Sequence, residues 1–424
     1  MSAFNNVIGY EIIKTELMQI CDMIHNRAEY EKLGAKMPRG VLLHGDPGLG
    51  KSLMVKCLIE ESGLKAYTLR RIKGGNGFVE EIANTFKFAK ENAPAIVFLD
   101  DMDKFANEDN DHPDAEEYVA VQAGIDDVCG YDVFVIATVN QIFKLPDSLI
   151  RPGRFDRRIE VRRPTEKDAG EIIRHYLTDK KVSADIDLND VIKMITYRSC
   201  AELETIMNEA AVNAAFAKHD SISMADMTAA VLKIQYAASD DFSEISGDDL
   251  KKIALHEAGH LVVCEALQKG SVGLASLKTR ERDEAGGFIR RCKKLKKTYD
   301  DVLIALAGKA AVELYYAEGA ACGCEEDLDR AQTCITNAIQ RSCSSGFGVY
   351  HGDPYMEYSD NLRARSEAVV CSELERYMFK TRDILLKNRA FLEKTADELF
   401  EKKTLLYSDI QRIRDSVTVI PAAV

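Results

Sequence analysis

Residues 41–62 read VLLHGDPGLGKSLMVKCLIEES: an apolar run, a glycine-rich loop and a helical pattern, in that order. The loop, 45–52, fits G-x-x-x-x-G-K-[ST], and its place between a strand and a helix turns a pattern match into a mechanism. Gly45, Asp46, Pro47, Gly48, Leu49 and Gly50 form a turn whose backbone N–H groups can point inward at phosphate oxygens. The helix that follows presents its positive end to the same spot. Lys51 can then reach the β and γ phosphates of ATP, and the Ser52 hydroxyl can hold Mg2+. Four more short apolar runs, at 66–69, 96–99, 133–137 and 159–161, alternate with helical patterns. Strands separated by helices predict an α/β fold with a mostly parallel sheet covered on both faces.

Residues 95–101 read AIVFLDD, an apolar strand closed by two carboxylates. Asp100 is placed to approach Mg2+, and Asp101 to position or deprotonate the attacking water. Asn140 ends VFVIATVN and is the candidate polar sensor of the γ-phosphate. Arg151 and Arg154 lie in IRPGRFDRR, a Pro-Gly turn from which arginines can stabilise transition-state charge in a neighbouring subunit. From 165 to about 236 the pattern is helical throughout. Leu203, Ile206, Met207, Ala210 and Ala211 share one helix face there. Residues 237–249, AASDDFSEISGDD, have the Ser, Asp and Gly content of a linker. The expected division is an α/β nucleotide-binding domain over 1–163, a helical lid over 164–237, a linker over 238–249 and a mainly helical domain over 250–424.

Residues 256–260 read HEAGH within LKKIALHEAGHLVVCEAL, which is helical in period. His256 and His260 are four apart, so they project from one face and can share a zinc ion. Glu257 is rotated from His256 by about 100°. It can act on the water that zinc activates without being a ligand, taking its proton and passing it to the leaving amine. Two histidines leave zinc short of a protein ligand. Asp327 in GCEEDLDRA, Glu313 in GKAAVELYY, and Cys322 and Cys324 are all possible donors. Spacing alone does not choose between Glu313 and Asp327. A strand-containing excursion is expected over 273–288, where Gly286 and Gly287 adjoin.

Composition sets outer bounds. The formal net charge is −13, which argues against a general nucleic-acid binder, because neutralising phosphates needs a basic surface. No window approaches the roughly 18–20 apolar residues that span a bilayer. The start, MSAFNNVIGY, has no basic region followed by an apolar run, so neither a signal peptide nor an integral membrane segment is expected. The 11 cysteines have no framework spacing and read as reduced thiols of a cytoplasmic protein.

Taken in order, FNNVIGYEIIKTEL, LGAKMPRGVLLHGDPGLGKS, RPGRFDRRIEV, MNEAAVNAA, LHEAGH, LAGKAAVEL, CGCEEDLDRA and LLKNRAFLEK resemble the FtsH family of ATP-dependent AAA+ zinc metalloproteases. The resemblance implies a ring, expected to be a homo-hexamer, with ATP between subunits and Arg151 and Arg154 reaching a neighbour's nucleotide. It implies polypeptide substrates threaded into a chamber lined by zinc sites. It also chooses Asp327 as the third zinc ligand, leaving Glu313 to orient a histidine.

The chain departs from the family in four places. It begins at the ATPase, so membrane tethering is not carried over. The family's Asp-Glu pair is Asp100-Asp101, one methylene shorter at the second acid. Leu49 and Asp46 replace Thr and Pro of the family loop. The segment RRIKGGNGF stands where the family has an aromatic-hydrophobic-glycine pore loop, with Ile72 and Phe78 as the candidates for substrate contact. These departures keep two alternatives beside ATP-driven proteolysis. One is a zinc peptidase in which ATP mainly holds the ring together. The other is a chaperone-like remodelling ATPase with a vestigial peptidase.

Overall fold

The computed structural model describes residues 2–71, 77–106, 115–151, 153–238, 247–278, 286–294, 299–316, 324–342 and 360–422. They form two compact units: Met1–Lys180 with Tyr197–Met207, and Lys181–Thr196 with Asn208–Val424.

The first unit is built on five parallel strands, β1 (Gly40–His44), β2 (Lys65–Leu69), β3 (Ala95–Leu99), β4 (Val133–Val139) and β5 (Arg157–Glu160). Their order across the sheet is β2-β3-β4-β1-β5. All five expected strands are present, with ends displaced by a residue or two. The interior strand β3 is buried at every position, as an unbroken AIVFL run requires when helices cover both faces. The edge strand β2 can leave Lys65 and Thr68 exposed. On the helix Phe78–Glu91, Phe78, Ile82, Phe86 and Ala89 recur at helical spacing and are all buried, and the helix lies against β2 and β3. Register then decides where chemistry can occur. Leu43 of β1 pairs with Thr138 of β4, and Leu99 of β3 pairs with Ala137. The residues just past these ends, Gly45, Asp100 and Asn140, therefore share the carboxyl edge of the sheet, where open α/β folds bind ligands.

The segment expected to be helical throughout folds as Glu166–Leu177, Leu188–Met194, Cys200–Phe216 and Met224–Tyr236. Leu203, Ile206, Met207 and Ala210 are buried, and Ala211 half-buried, as a shared face predicts. Most of the linker expected at 238–249 lies outside the described residues.

The second unit is organised around the helix Gly247–Leu267, which is buried on every side from Ile253 to Ala266. A helix buried all round runs through the middle of its domain. It packs against Asp300–Glu313, Asp360–Lys387 and Arg389–Lys402. One core joins Leu261 and Val262 to Leu303, Leu306, Leu385, Phe391 and Leu392. The far end of the helix is held by Glu265. Its carboxylate accepts the N–H groups of Gly270, Ser271 and Val272 at 2.8, 2.8 and 3.1 Å and pairs with Arg414 at 3.1 Å. A buried carboxylate with this many partners fixes the turn that follows. That turn leads into β6 (Val272–Ser276), which is flanked antiparallel by β7 (Phe288–Arg291) and β8 (Thr404–Leu406). The expected strand-containing excursion is thus β6 and β7. Among the described residues no helix is long and apolar enough to cross a membrane, and no disulfide forms.

Candidate nucleotide and metal sites

At the carboxyl edge of the first sheet, the phosphate loop leaves β1 through Gly45, with φ 149°. A Cβ there would stand 2.0 Å from the Val161 carbonyl, so only glycine lets the loop start this close to the neighbouring strand. Leu49, unusual for its loop, is buried at 1% exposure and packs inward rather than facing a ligand. Asp46 pairs with Arg163 at 2.9 Å. Gly50, with φ 85°, precedes the helix Lys51–Ser62. The Lys51 ammonium donates to the carbonyls of Gly45 and Asp46 at 2.7 and 2.8 Å and to Asn140 Oδ1 at 2.8 Å. Burial pulls its pKa below the ordinary lysine value, against the opposing influence of Asp101, Asp103, Asp46 and Asp100.

Asp100 Oδ1 accepts from the hydroxyls of Ser52 at 2.7 Å and Thr138 at 2.8 Å. The expected Mg2+ pair, Ser52 and Asp100, is therefore in direct contact. Thr138 was not visible as a site residue in the sequence. Fully buried in β4, it also accepts the backbone N–H of Asp101 at 2.9 Å and so sets the heights of both acids. Asp103 was missed as well. Its carboxylate accepts the backbone N–H groups of Asn140 and Gln141 at 3.2 and 3.3 Å, holding the sensor's main chain. The available signal was the third acid in LDDMD.

Asp101 has φ 54°, in the left-handed region. One oxygen accepts from Asn140 Nδ2 at 3.3 Å, and the other from Lys104 Nζ at 2.7 Å. Burial would raise its pKa, but the Lys104 hydrogen bond and charge, with Arg70 and Asn140, leave it lowered.

The two arginines of the Pro-Gly turn differ. Arg151 is exposed. Arg154 is buried and donates to both carboxylate oxygens of Asp126, at 3.1 and 2.7 Å, and to the Ser148 carbonyl. That pairing lowers the Asp126 pKa. Phe78, a candidate for substrate contact, is buried edge-on against Phe105 at 5.2 Å, so it serves the core. Ile72 lies outside the described residues.

In the second unit the zinc-motif helix brings His256 and His260 to Asp327, in the first turn of the helix Glu325–Ser342. The donor atoms of the three residues all lie within 4.8 Å of one another. His256 Nε2 and His260 Nε2 stand 3.1 and 3.0 Å from Asp327 Oδ2 and 2.9 Å from each other. His260 Nδ1 lies 2.7 Å from the Ile304 carbonyl, which can only accept, so the ring proton belongs on Nδ1. The Nε2 lone pair then faces a carboxylate oxygen and a second imidazole nitrogen. Such a meeting of lone pairs calls for a cation among them. Ligands at zinc distance around a tetrahedral ion stand roughly 3.3 Å apart, close to these separations. The donor set therefore fits zinc. Burial works against a charged His260, but Asp327, Glu257 and the Ile304 carbonyl outweigh it and raise its pKa. Burial would likewise raise Asp327, yet the two histidines hold it well below the usual carboxylate range.

Glu313 does not take part. It pairs with Lys309 at 2.8 Å and with Arg382, and the group orienting a histidine is the Ile304 carbonyl. Cys324 is buried and stands outside the three-residue donor cluster, and Cys322 lies outside the described residues. Two glycines that the sequence did not assign to chemistry shape the centre. A Cβ on Gly308 would lie 2.3–2.5 Å from three atoms of the His256 ring. A Cβ on Gly287 would lie 2.6 Å from Glu257 Cγ and 3.0 Å from the Ser276 carbonyl. Glu257 is buried, and that burial raises its pKa despite the opposing pull of His260 and His256.

Residues 41–163 match the ATPase family associated with various cellular activities (AAA), and residues 243–413 match Peptidase family M41. The chain therefore joins an AAA ATPase domain to an M41 peptidase domain. Over nearly its whole length it resembles proteins described as the ATP-dependent zinc metalloprotease FtsH. The ATP-dependent zinc metalloprotease FtsH of Streptobacillus moniliformis is 31% identical over 440 residues, covering 97% of this chain and 64% of that protein. The protein of the same description from Mycoplasmoides gallisepticum is 28% identical, covering 99% of this chain and 58% of the relative. That from Thermus thermophilus is 29% identical, covering 97% and 70%. The chain thus spans less than two thirds of the length of the first two relatives.

Proposed function

We propose that this chain is an ATP-dependent zinc endopeptidase acting on unfolded or tagged soluble proteins. The observation that carries the reading is the convergence of His256, His260 and Asp327 on one point, with buried Glu257 one residue along the same helix. His256, His260 and Asp327 would hold zinc, which when bound would supply a Lewis acid for the scissile carbonyl and for water. Glu257 accepts the proton of the attacking water as its oxygen bonds to the carbonyl carbon. It returns that proton to the nitrogen as the C–N bond breaks. Its burial suits this exchange, because a raised pKa lets it hold the proton between the two steps. Gly287 leaves room for the carboxylate to move.

In the first unit, Lys51 and the phosphate loop would hold the nucleotide phosphates. Ser52 and Asp100 would hold Mg2+, Asp101 would place the attacking water, and Asn140 would sense the γ-phosphate. We further propose a cytoplasmic homo-hexamer without nucleic-acid partners, with the segment 164–237 as the nucleotide lid. In such a ring Arg151, exposed, can reach a neighbour's nucleotide directly. Arg154 can do so only by leaving Asp126.

A second reading has one observation in its favour. Both oxygens of Asp101 are already engaged, by Asn140 and Lys104. An acid so occupied favours a peptidase in which ATP mainly holds the ring together. Degradation of casein with ATP, with a non-hydrolysable analogue and without nucleotide separates the readings. ATP-driven proteolysis requires activity with ATP alone, and equal activity with the analogue supports the second reading. Absence of proteolysis under all three conditions, with zinc bound, would sink both.

A further inference from the structure

Arg70 follows β2 directly and stands at the same sheet edge as the phosphate loop. Its backbone is fixed from both sides. The N–H of Asp100 donates to the Leu69 carbonyl at 2.9 Å. Arg71 points away into a partly buried ion pair with Glu117 at 2.9 Å and donates to the Lys104 carbonyl at 3.3 Å. Arg70 itself remains 59% exposed in its side chain, with Nε 3.8 Å from Asp100 Oδ2 and Nη2 3.8 Å from Asp101 Oδ2. Both separations exceed a hydrogen bond. The acids have nearer partners: Ser52 and Thr138 on Asp100, Lys104 and Asn140 on Asp101. The guanidinium is thus drawn by charge to the rim of the site without a hydrogen bond to either acid. Asp101, Asn140 and Lys51 continue that rim as an unbroken set of contacts.

We infer that Arg70 is a γ-phosphate ligand supplied by the same chain, its planar donor fork binding non-bridging oxygens of the terminal phosphoryl group. Five N–H donors in a rigid plane match phosphate geometry. During hydrolysis the water oxygen bonds to the γ-phosphorus, the bond to the β–γ bridging oxygen breaks with its electron pair going to ADP, and the water's proton is lost as inorganic phosphate forms. The charge spread over the equatorial oxygens is what a cation at this place stabilises. The role rests on reading the first unit as an ATPase. It differs from that of Arg151 and Arg154, which act on a neighbour. The plain alternative is an exposed ion pair with Asp100 and Asp101 that never touches nucleotide.

The test uses the full chain as parent, Arg70→Ala, Arg70→Lys and Lys51→Ala. It measures steady-state ATP turnover together with separate affinities for ATP and ADP. Arg70→Ala is expected to cut kcat at least about tenfold and to weaken ATP binding while leaving ADP binding intact, because ADP lacks the γ-phosphate. Retained ADP binding shows that the variant is folded. Arg70→Lys is expected to recover part of the loss. Equal weakening toward ATP and ADP, or a kcat that is unchanged or raised in Arg70→Ala, overturns the assignment while leaving the ATPase reading intact. A parent chain that binds nucleotide through Lys51 but does not hydrolyse ATP overturns the ATPase reading and this assignment with it.

Discussion

Gly308→Ala places one methyl group against the metal centre. The added Cβ would lie 2.3 Å from His256 Cε1, 2.4 Å from Nε2 and 2.5 Å from Nδ1. No heavy-atom contact is tolerated at that distance, so the imidazole must move. Its movement does not have to break the helix, because a side-chain ring can swing. It does have to shift Nε2 from its place 2.9 Å from His260 Nε2 and 3.1 Å from Asp327 Oδ2. Overpacking a tight site by a methyl group costs about 1–3 kcal/mol, which corresponds to roughly a 5- to 150-fold loss if it falls on metal binding. The strain falls there because the ring's polar contacts, to Asp327 and His260, run through Nε2. Its Nδ1 has no hydrogen-bond partner among the described residues. Competition for zinc against a chelating dye reads the effect directly. ATP binding in the other unit and the helical content report whether the rest of the chain is unchanged. Unaltered zinc affinity would refute the reasoning. So would a general loss of helical structure, since the strain would then lie in the packing of the two helices.

Glu257→Gln keeps shape but cannot accept a proton, so proteolysis should vanish while zinc content stays near that of the parent, and full activity would exclude the assigned role. Asp327→Asn should lower zinc content more than Glu313→Gln, whose partners are Lys309 and Arg382. The opposite ranking in a metal assay would return Glu313 to the ligand set. Arg151→Ala should cut ATP turnover without changing the melting temperature. Arg154→Ala should lower the melting temperature as well, by the loss of a buried arginine from its paired Asp126, and identical behaviour of the two variants would refute the distinction. Asp101→Glu should lower ATP turnover at saturating Mg-ATP, and a faster variant would show that reach, not placement, limits the acid.

The sheet was legible because its code is local. Five apolar runs at strand length, separated by helical patterns, leave few arrangements. The zinc histidines were legible because helix geometry alone brings residues four apart to one face. Asp327 was not legible from spacing, because its approach depends on how two helices pack, and only the family resemblance chose it over Glu313. The same limit hid Gly308 and Gly287. A glycine inside LAGKAAVEL reads as a weak helix residue until the His256 ring is found where its side chain would be. Thr138 and Asp103 were hidden for another reason. Their role is to hold the backbone and carboxylates of neighbouring residues, and a hydroxyl or acid in that position resembles any capping group. Phe78 was misjudged because an aromatic in an unfamiliar loop looks available for contact, whereas its spacing with Ile82 and Phe86 already placed it on a buried helix face.

Position 101 shows how a departure from a motif is to be weighed. In sequence the missing methylene looks like lost reach. In the fold the residue occupies the left-handed region, φ 54°, where short side chains that bond locally are better tolerated than long ones. Its carboxylate is pinned between Asn140 and Lys104, the second only three residues on. A glutamate is one methylene longer and would have to remake both contacts from a different reach. The shorter acid and the lysine are therefore matched to each other, and Thr138 fixes the main chain from which the acid projects. The substitution is then better described as one part of a rearranged site than as a lesion in an ordinary one. Arg70, at the end of the adjacent strand β2 with Nη2 3.8 Å from Asp101 Oδ2, is the cation beside this rearranged acid, which is why we propose that it takes part at the γ-phosphate.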